Sequence, residues 1–420
     1  MTSKAQRTIG LSPAAVFVGV VLLMDAFALG TVVRHIWSGP VANDWLSFYT
    51  GGTLVRTGQA AHLYDASAQD AIQRGLLGAD FDMVIGFLLP AFVAFFFAPL
   101  SKLSLAMSYT VWLAINIAML GLLLRLSWRW LEAVPQALRS VFLACAVSVP
   151  VVDILMQGQV DLFILAGLAG CYALLRDGRP ALGGSALALA LFKPHLAAAV
   201  VLLLLVKRQW RALAAFAVTG GMVMLAPALF LGPHVLVEQV RLLSSFTGAE
   251  TNQLVLPLDT MINIRATVTS LTGSLNVWLW LPLLALIATA SLALAVRVWM
   301  ARPALHPQSW ALAFTLPLLY SPHVHIQSMV LLIAAAGLYL IASQSSARPI
   351  VDIKYALFGF VAVTVLWSLS LSGPSFMALL VMGAFALFWQ RWPEPAAEAL
   401  TIAPRIVPAS VPPRRLAIET

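Results

Sequence analysis

Asp44 stands just past the end of the first long apolar run, 13 to 36, and opens into the longest polar stretch of the chain, Trp37 to Met83. A carboxylate at that depth can take a proton from a hydroxyl whose reaction partner is carried by lipid. Its plainer use is as a helix cap, since an aspartate ahead of a short helix such as WLSFY commonly accepts backbone N–H groups. Tyr49, in the same loop as Gly51, Gly52, Gly58 and Tyr64, counts with Asp44 as a candidate substrate contact. Asp65, Asp70, Asp80 and Asp82 read as caps or solvated surface.

Three other clusters interrupt apolar runs: Gln157-Gly158-Gln159, Lys193-Pro194-His195 and Ser321-Pro322-His323. Polar breaks at membrane depth are tolerated where they line a cavity or reach an interface. An unpartnered ammonium at Lys193 would be expensive, and a phosphate would satisfy it; a lysine snorkelling to the interface is the alternative. His195 shares that site or marks the interface. The amides of Gln157 and Gln159 suit sugar hydroxyls, or else the helix ends that they interrupt, and Asp161 is able to pair with a basic group.

His323 and His325 stand two apart. A zinc site would want a third ligand and a nearby base, and neither HExxH nor paired-cysteine spacing occurs, so hydrogen bonding to phosphate or sugar is the better reading. Asn263 and Arg265, in DTMINIRA, offer an amide and a guanidinium; arginine suits bidentate phosphate contact, although a loop salt bridge is its commoner use. No phosphate-binding P-loop, dinucleotide fingerprint or serine elbow occurs, which disfavours a nucleotide substrate. No metal and no cofactor is expected.

Composition says what must position these groups. With 61% hydrophobic residues, 10% charged ones and a mean hydropathy of +0.91 over 420 residues, the chain is expected to be an all-α polytopic membrane protein embedded in a lipid bilayer. Strand-like alternation is missing, which argues against an outer-membrane barrel. The net charge of +8 is scattered in short basic doublets that report topology, so no nucleic-acid partner is expected. Cys145 and Cys171 sit in apolar runs and read as small core residues.

Apolar runs fall near 13–36, 84–100, 104–126, 137–157, 160–176, 181–206, 212–232, 274–297, 309–341, 355–371 and 374–391. If each polar break is a turn at the outer face, Arg125, Arg129, Arg139, Arg176, Arg179, Lys207, Arg208 and Arg211 all lie inside, as the positive-inside rule asks. This layout makes 84–100 a re-entrant or interfacial hairpin and 181–206 two short helices. A conventional layout makes each a single span and puts Arg125, Arg129, Arg176 and Arg179 outside. The first layout gathers Asp44, the QGQVD, KPH and SPHVH turns and the polar segment 232–273 on one face. A membrane domain is expected over 1–392, with a first outer loop at 37–83, and the proline-rich tail 393–420 is expected to be disordered in the cytoplasm.

The ordered series Asp44 to Tyr49, FLLPAFVAFFFAPLSKLSL, MQGQVDLFILAGLAG, GGSALALALFKPHLAAAVVLL and SPHVHIQSMVLL resembles glycosyltransferase family 87 of the GT-C superfamily, bacterial membrane enzymes related to polyprenyl-phosphate-mannose-dependent α-1,2-mannosyltransferases. The resemblance implies a GT-C-type bundle of roughly 10–13 transmembrane helices with interfacial helices in its first outer loop. It also implies inverting transfer of a mannose-like hexose from a polyprenyl-phosphate sugar donor to a lipid or glycan acceptor. The reaction would proceed without a metal, at the outer face of the cytoplasmic membrane. Asp44 matches the family's first-loop aspartate, taken as the general base. Lys193 and His325 match positions near the donor phosphate and acceptor, with His323 and Arg265 beside them. The chain departs from the family pattern at FLLPAF and in lacking a tryptophan before the final histidine motif. A transporter or lipid flippase would also need many helices with polar residues, but along a path through the bilayer and not at one face; a non-catalytic scaffold would leave Asp44, Lys193 and His325 free to vary.

Overall fold

The computed structural model describes residues 43–245, 261–343 and 373–389, apart from 133, 275 and 322, with isolated positions before residue 43. Nearly all of the expected first span, the stretch 246–260, the run 355–371 and the tail from 393 lie outside the described residues. What is described is all-α and polytopic, and its one strand-like feature is a single bridge between Met261 and His325.

Four helical stretches are long and apolar enough to cross a membrane: α4 (Leu105–Trp130), Leu138–Gln157, α10 (Trp210–Leu231) and α13 (Val277–Ala301). The 26 residues of α4 reach about 39 Å, beyond the roughly 30 Å of a hydrocarbon core. This count among the described residues is smaller than the expected one, because much of the remaining apolar sequence forms shorter helices. The stretch Leu138–Gln157 is itself broken into α5 (Gln136–Ala146) and α6 (Val149–Gln157), a break the apolar run conceals. Pro150, in the first turn of α6, lacks the N–H that would continue the preceding helix.

The polar stretch after residue 43 folds into α1 (Asp44–Arg56), a 3-10 turn (Ala60–His62) and α2 (Ala66–Leu77). Asp65 caps α2, its carboxylate held below the usual range by the Ser67 hydroxyl and amide, and Asp70 pairs with Arg74. Buried Gln69 and Gln73 bond the backbone of Phe87 and Ile85, pinning the extended stretch that follows onto α2. The run 84–100 yields only α3 (Ala91–Phe97), seven residues long, before a 3-10 turn at Leu100–Lys102. It is no span, as the first layout required.

The run 181–206 is also two short pieces: α8 (Pro180–Leu187) continued by a 3-10 turn (Ala188–Phe192), then α9 (Pro194–Val206). Each covers roughly 20 Å. Gly184 lies against the Ala212 carbonyl and Leu191 against Gly220, so α8 runs alongside the first half of α10 in the same direction. The chain therefore reverses at Lys193, and α9 brings it back to the start of α10, which α11 (His234–Ser245) follows.

The remaining directions follow from single contacts. The first turns of α4 reach the break after α6, where Tyr109 donates to the Leu155 carbonyl (2.8 Å) and Trp112 to the Gly158 carbonyl (2.7 Å). The last turn of α4, at Trp130, meets Tyr172 and Arg176 at the end of α7 (Asp161–Arg176). At that same far end the Lys207 ammonium bonds the carbonyls of Trp299 and Arg302, where α13 stops. From there α14 (Pro307–Tyr320) returns, its Tyr320 hydroxyl donating to the His195 carbonyl. One end of the bundle thus collects the breaks at Gly158, Lys193 and Ser321, and the other collects the basic helix ends.

Candidate active site

Asn43, one residue earlier than the expected cap, closes the N-terminus of α1 by accepting from the Trp45 N–H, and its own amide donates 2.5 Å to the Met156 carbonyl. The cap reading of Asp44 is thereby corrected. Asp44 occupies the first helical position, where negative charge complements the helix dipole, and its side chain is left for other work. Its Oδ2 accepts from Gln159 Nε2 at 2.5 Å, and its N–H donates to Gln157 Oε1 at 3.4 Å. No described residue bonds Oδ1, and the residue is partly accessible.

The turn that supplies both glutamines needs its glycine. Gly158 has φ +67°, and a Cβ there would stand 2.9 Å from the Cβ of Trp45. That close approach seats α1 on a stack in which Trp45 and Trp112 are 5.7 Å apart and nearly parallel. Aromatic packing thus fixes the base of Asp44.

Lys193, for which the sequence offered a phosphate or the interface, has a partner within the protein. Its ammonium lies 2.6 Å from Asp161 Oδ2, and Ser328 donates to the other oxygen at 2.8 Å. Asp161 is 1% exposed and Lys193 12%. The pairing anticipated for Asp161 is present, and it ties together the QGQVD, KPH and SPHVHIQS segments. Removing one partner from such a pair strands a buried charge.

The histidines lie beside this pair, with ring centroids 4.8 Å apart. Their turn joins α14 to a 3-10 turn at Ile326–Met329 and α15 (Val330–Ser343). Burial first, then the neighbouring His325, His195, Lys193 and Arg265, push the His323 imidazole well below its usual value of 6.5. Arg265 is brought there by the bridge between Met261 and His325 and by the Ile262 N–H, which donates to the Val324 carbonyl at 2.9 Å. It is 1% exposed and lies 5.7 Å from the Trp280 ring centroid, in the first turn of α12 (Ile264–Thr272). Its Nε and Nη1 have no hydrogen-bond partner, and it forms no salt bridge, among the described residues; the stretch 246–260, with Glu250 and Asp259, lies outside them.

Two candidates have structural work instead. Tyr49 donates to the Leu103 carbonyl (2.8 Å) beneath the loop, and the structure does not bring its hydroxyl to the cluster. Asn263 caps α12 by accepting from the Ala266 N–H, which positions Arg265 but commits its oxygen. His195 bonds Tyr320 through its carbonyl and turns its ring into the field of Lys193 and Asp161.

One residue was missed. Asp153, one helical turn before Gln157, is hydrogen-bonded by that side chain and faces Asp44, Asp161 and Lys193. A lone carboxylate inside the apolar run VPVVDILM was the available signal, because an ionisable group at that depth is a functional candidate by default.

The end of the bundle therefore has two halves: carboxylates and amides around Asp44, and cations and imidazoles around Lys193 and Arg265. A base on one side and anion-binding groups on the other suit transfer of a group from a phosphate to a hydroxyl. Among known proteins, the family model of glycosyltransferase family 87 matches residues 87–322. No curated protein and no solved structure matches. Asp44 precedes the matched stretch and His323 and His325 follow it, so the match does not reach them.

Proposed function

Since the chain belongs to glycosyltransferase family 87 and is a membrane glycosyltransferase, we propose that it moves a mannose-like hexose from a polyprenyl-phosphate donor to a hydroxyl of a lipid or glycan acceptor. One observation carries this reading: the Asp44 carboxylate, held by Gln159, stands at the same end of the bundle as Lys193, Arg265, His323 and His325. The donor lies with its phosphate in the cationic half, and the acceptor hydroxyl lies at Asp44. The acceptor oxygen attacks the anomeric carbon and its proton passes to the Asp44 carboxylate. The anomeric carbon–oxygen bond to phosphate breaks, its electron pair leaves on the phosphate oxygen, and the configuration inverts. Arg265, His325 and His323 meet the growing negative charge, Lys193 paired with Asp161 holds the turns that carry them in place, and the amides of Gln157 and Gln159 hold Asp44 and contact sugar hydroxyls.

The basic end that holds Arg176, Arg179 and Lys207 lies in the cytoplasm of a bacterial cell, together with both termini, and the reacting end opens outward. The catalytic domain spans 1–392. Incubating the purified full-length protein with a panel of polyprenyl-phosphate sugars and a membrane extract, followed by mass analysis, tests the proposal. One hexose added to a lipid or glycan, only with a lipid-phosphate donor, is expected. Transfer from nucleotide sugars alone, or from no donor in the panel, would overturn it.

A further inference from the structure

The cationic half of the site contains charges that are not equivalent. Lys193 is already neutralised: Asp161 takes its charge at 2.6 Å, and Ser328 occupies the other carboxylate oxygen. Drawing that ammonium toward a ligand would strand Asp161, which is 1% exposed. His323, enclosed among Lys193, Arg265, His195 and His325, has its imidazole pushed far below its ordinary value, so it serves as a neutral hydrogen-bonding group.

Arg265 differs from both. Its guanidinium stays charged at any physiological pH, it is 1% exposed, and Nε and Nη1 have no acceptor among the described residues. Its one described favourable neighbour is the Trp280 ring. It also sits in the first turn of α12, where the helix dipole adds to the attraction for an anion. A buried charge left in this state is costly until an anion arrives.

We infer that Arg265, and not Lys193, carries the charge of the donor's phosphate, with Lys193, Asp161 and Ser328 acting as a neutral positioning unit whose hydrogen bonds are spent on one another. The inference rests on the lipid-phosphate reading above. A sugar phosphodiester carries one negative charge and the departing lipid monophosphate up to two, so a guanidinium with no described carboxylate partner gains most as the bond breaks. An already balanced ammonium gains little.

The test measures binding of undecaprenyl monophosphate to the full-length protein in nanodiscs. Arg265→Gln should weaken binding about ten- to a hundredfold, as expected for a lost charge-assisted contact, and Arg265→Lys less. The double variant Lys193→Met with Asp161→Asn removes a neutral pair and should stay within about threefold of the parent. Thermal unfolding of each variant identifies loss of fold, and Arg265→Lys then carries the arginine arm. A double variant that loses binding while Arg265→Gln keeps it would overturn the inference and leave the function standing. If the parent binds no monophosphate, or inorganic phosphate displaces the lipid with equal affinity, the donor class fails and the inference with it.

Discussion

The long helices and the short ones do different jobs. In the most apolar stretches of α4, α10 and α13 only 22%, 11% and 22% of the residues are buried, so most of their side chains face outward to lipid. In α14, by contrast, every residue from Pro307 to Leu319 is buried, yet the helix has 14 residues and stops at Tyr320. The short pieces α6, α9 and α14 meet at the breaks gathered at one end of the bundle, and their ends supply Gln157, Lys193 and Ser321. Backbone groups freed by a break need partners, so breaks in the interior carry the polar chemistry. Length on the outside and interruption on the inside together make a reaction site in a membrane.

This contrast can be broken most severely at the interior ends. Asp44→Asn keeps the shape of α1 and removes the proton acceptor; turnover should fall about 10²- to 10⁴-fold with donor binding retained, measured by initial rates and equilibrium binding in parallel. Asp161→Ala should destabilise the fold by about 3–5 kcal/mol, because Lys193 is left buried and unpaired. Thermal unfolding in detergent would show this, and adding Lys193→Met to the Asp161→Ala variant should recover most of the loss.

A smaller effect separates the two faces of α10. A Cβ at Gly184 would collide with the Ala212 carbonyl oxygen, whereas one at Gly221 meets nothing within 4 Å. Gly184→Ala should therefore cost about 1–3 kcal/mol, and Gly221→Ala should be neutral or stabilise by up to about 1 kcal/mol. Equal melting temperatures for the two variants would contradict the packing of α8 on α10.

The last effect is on pH. His323 binds its proton less readily in the folded protein than in the unfolded chain, so the unfolded state carries more protons below pH 6.5. Stability is then fully present above 6.5 and declines as pH falls below it. His323→Asn should flatten the acid side of a plot of melting temperature against pH, and an unchanged slope would argue against the enclosed histidine.

Much of this was readable in the chain. Lys193-Pro194 and Gly158 interrupt apolar runs with residues that stop a helix for known steric reasons, so those turns were visible, and positive-inside bookkeeping chose between layouts. Asp161 announced a basic partner. Hydropathy could not show the break at Ser148, since Pro150 sits in an uninterrupted apolar run. Nor could spacing decide between Asn43 and Asp44 as the cap, because both are good caps and the choice is made by Met156, which lies far along the chain. That Arg265 is buried with Nε and Nη1 unpaired among the described residues depends on segments meeting in space. The bond of Tyr49 to Leu103 was hidden for the same reason, since Leu103 lies beyond α3.

The stereochemistry of one transfer tests the account most directly. If Asp44 activates the acceptor for a single displacement at the anomeric carbon, nuclear magnetic resonance of the isolated product must show the anomeric configuration opposite to that of the donor. A product that keeps the donor's configuration would require a second displacement through a covalent sugar–enzyme intermediate, and would contradict the role given to Asp44.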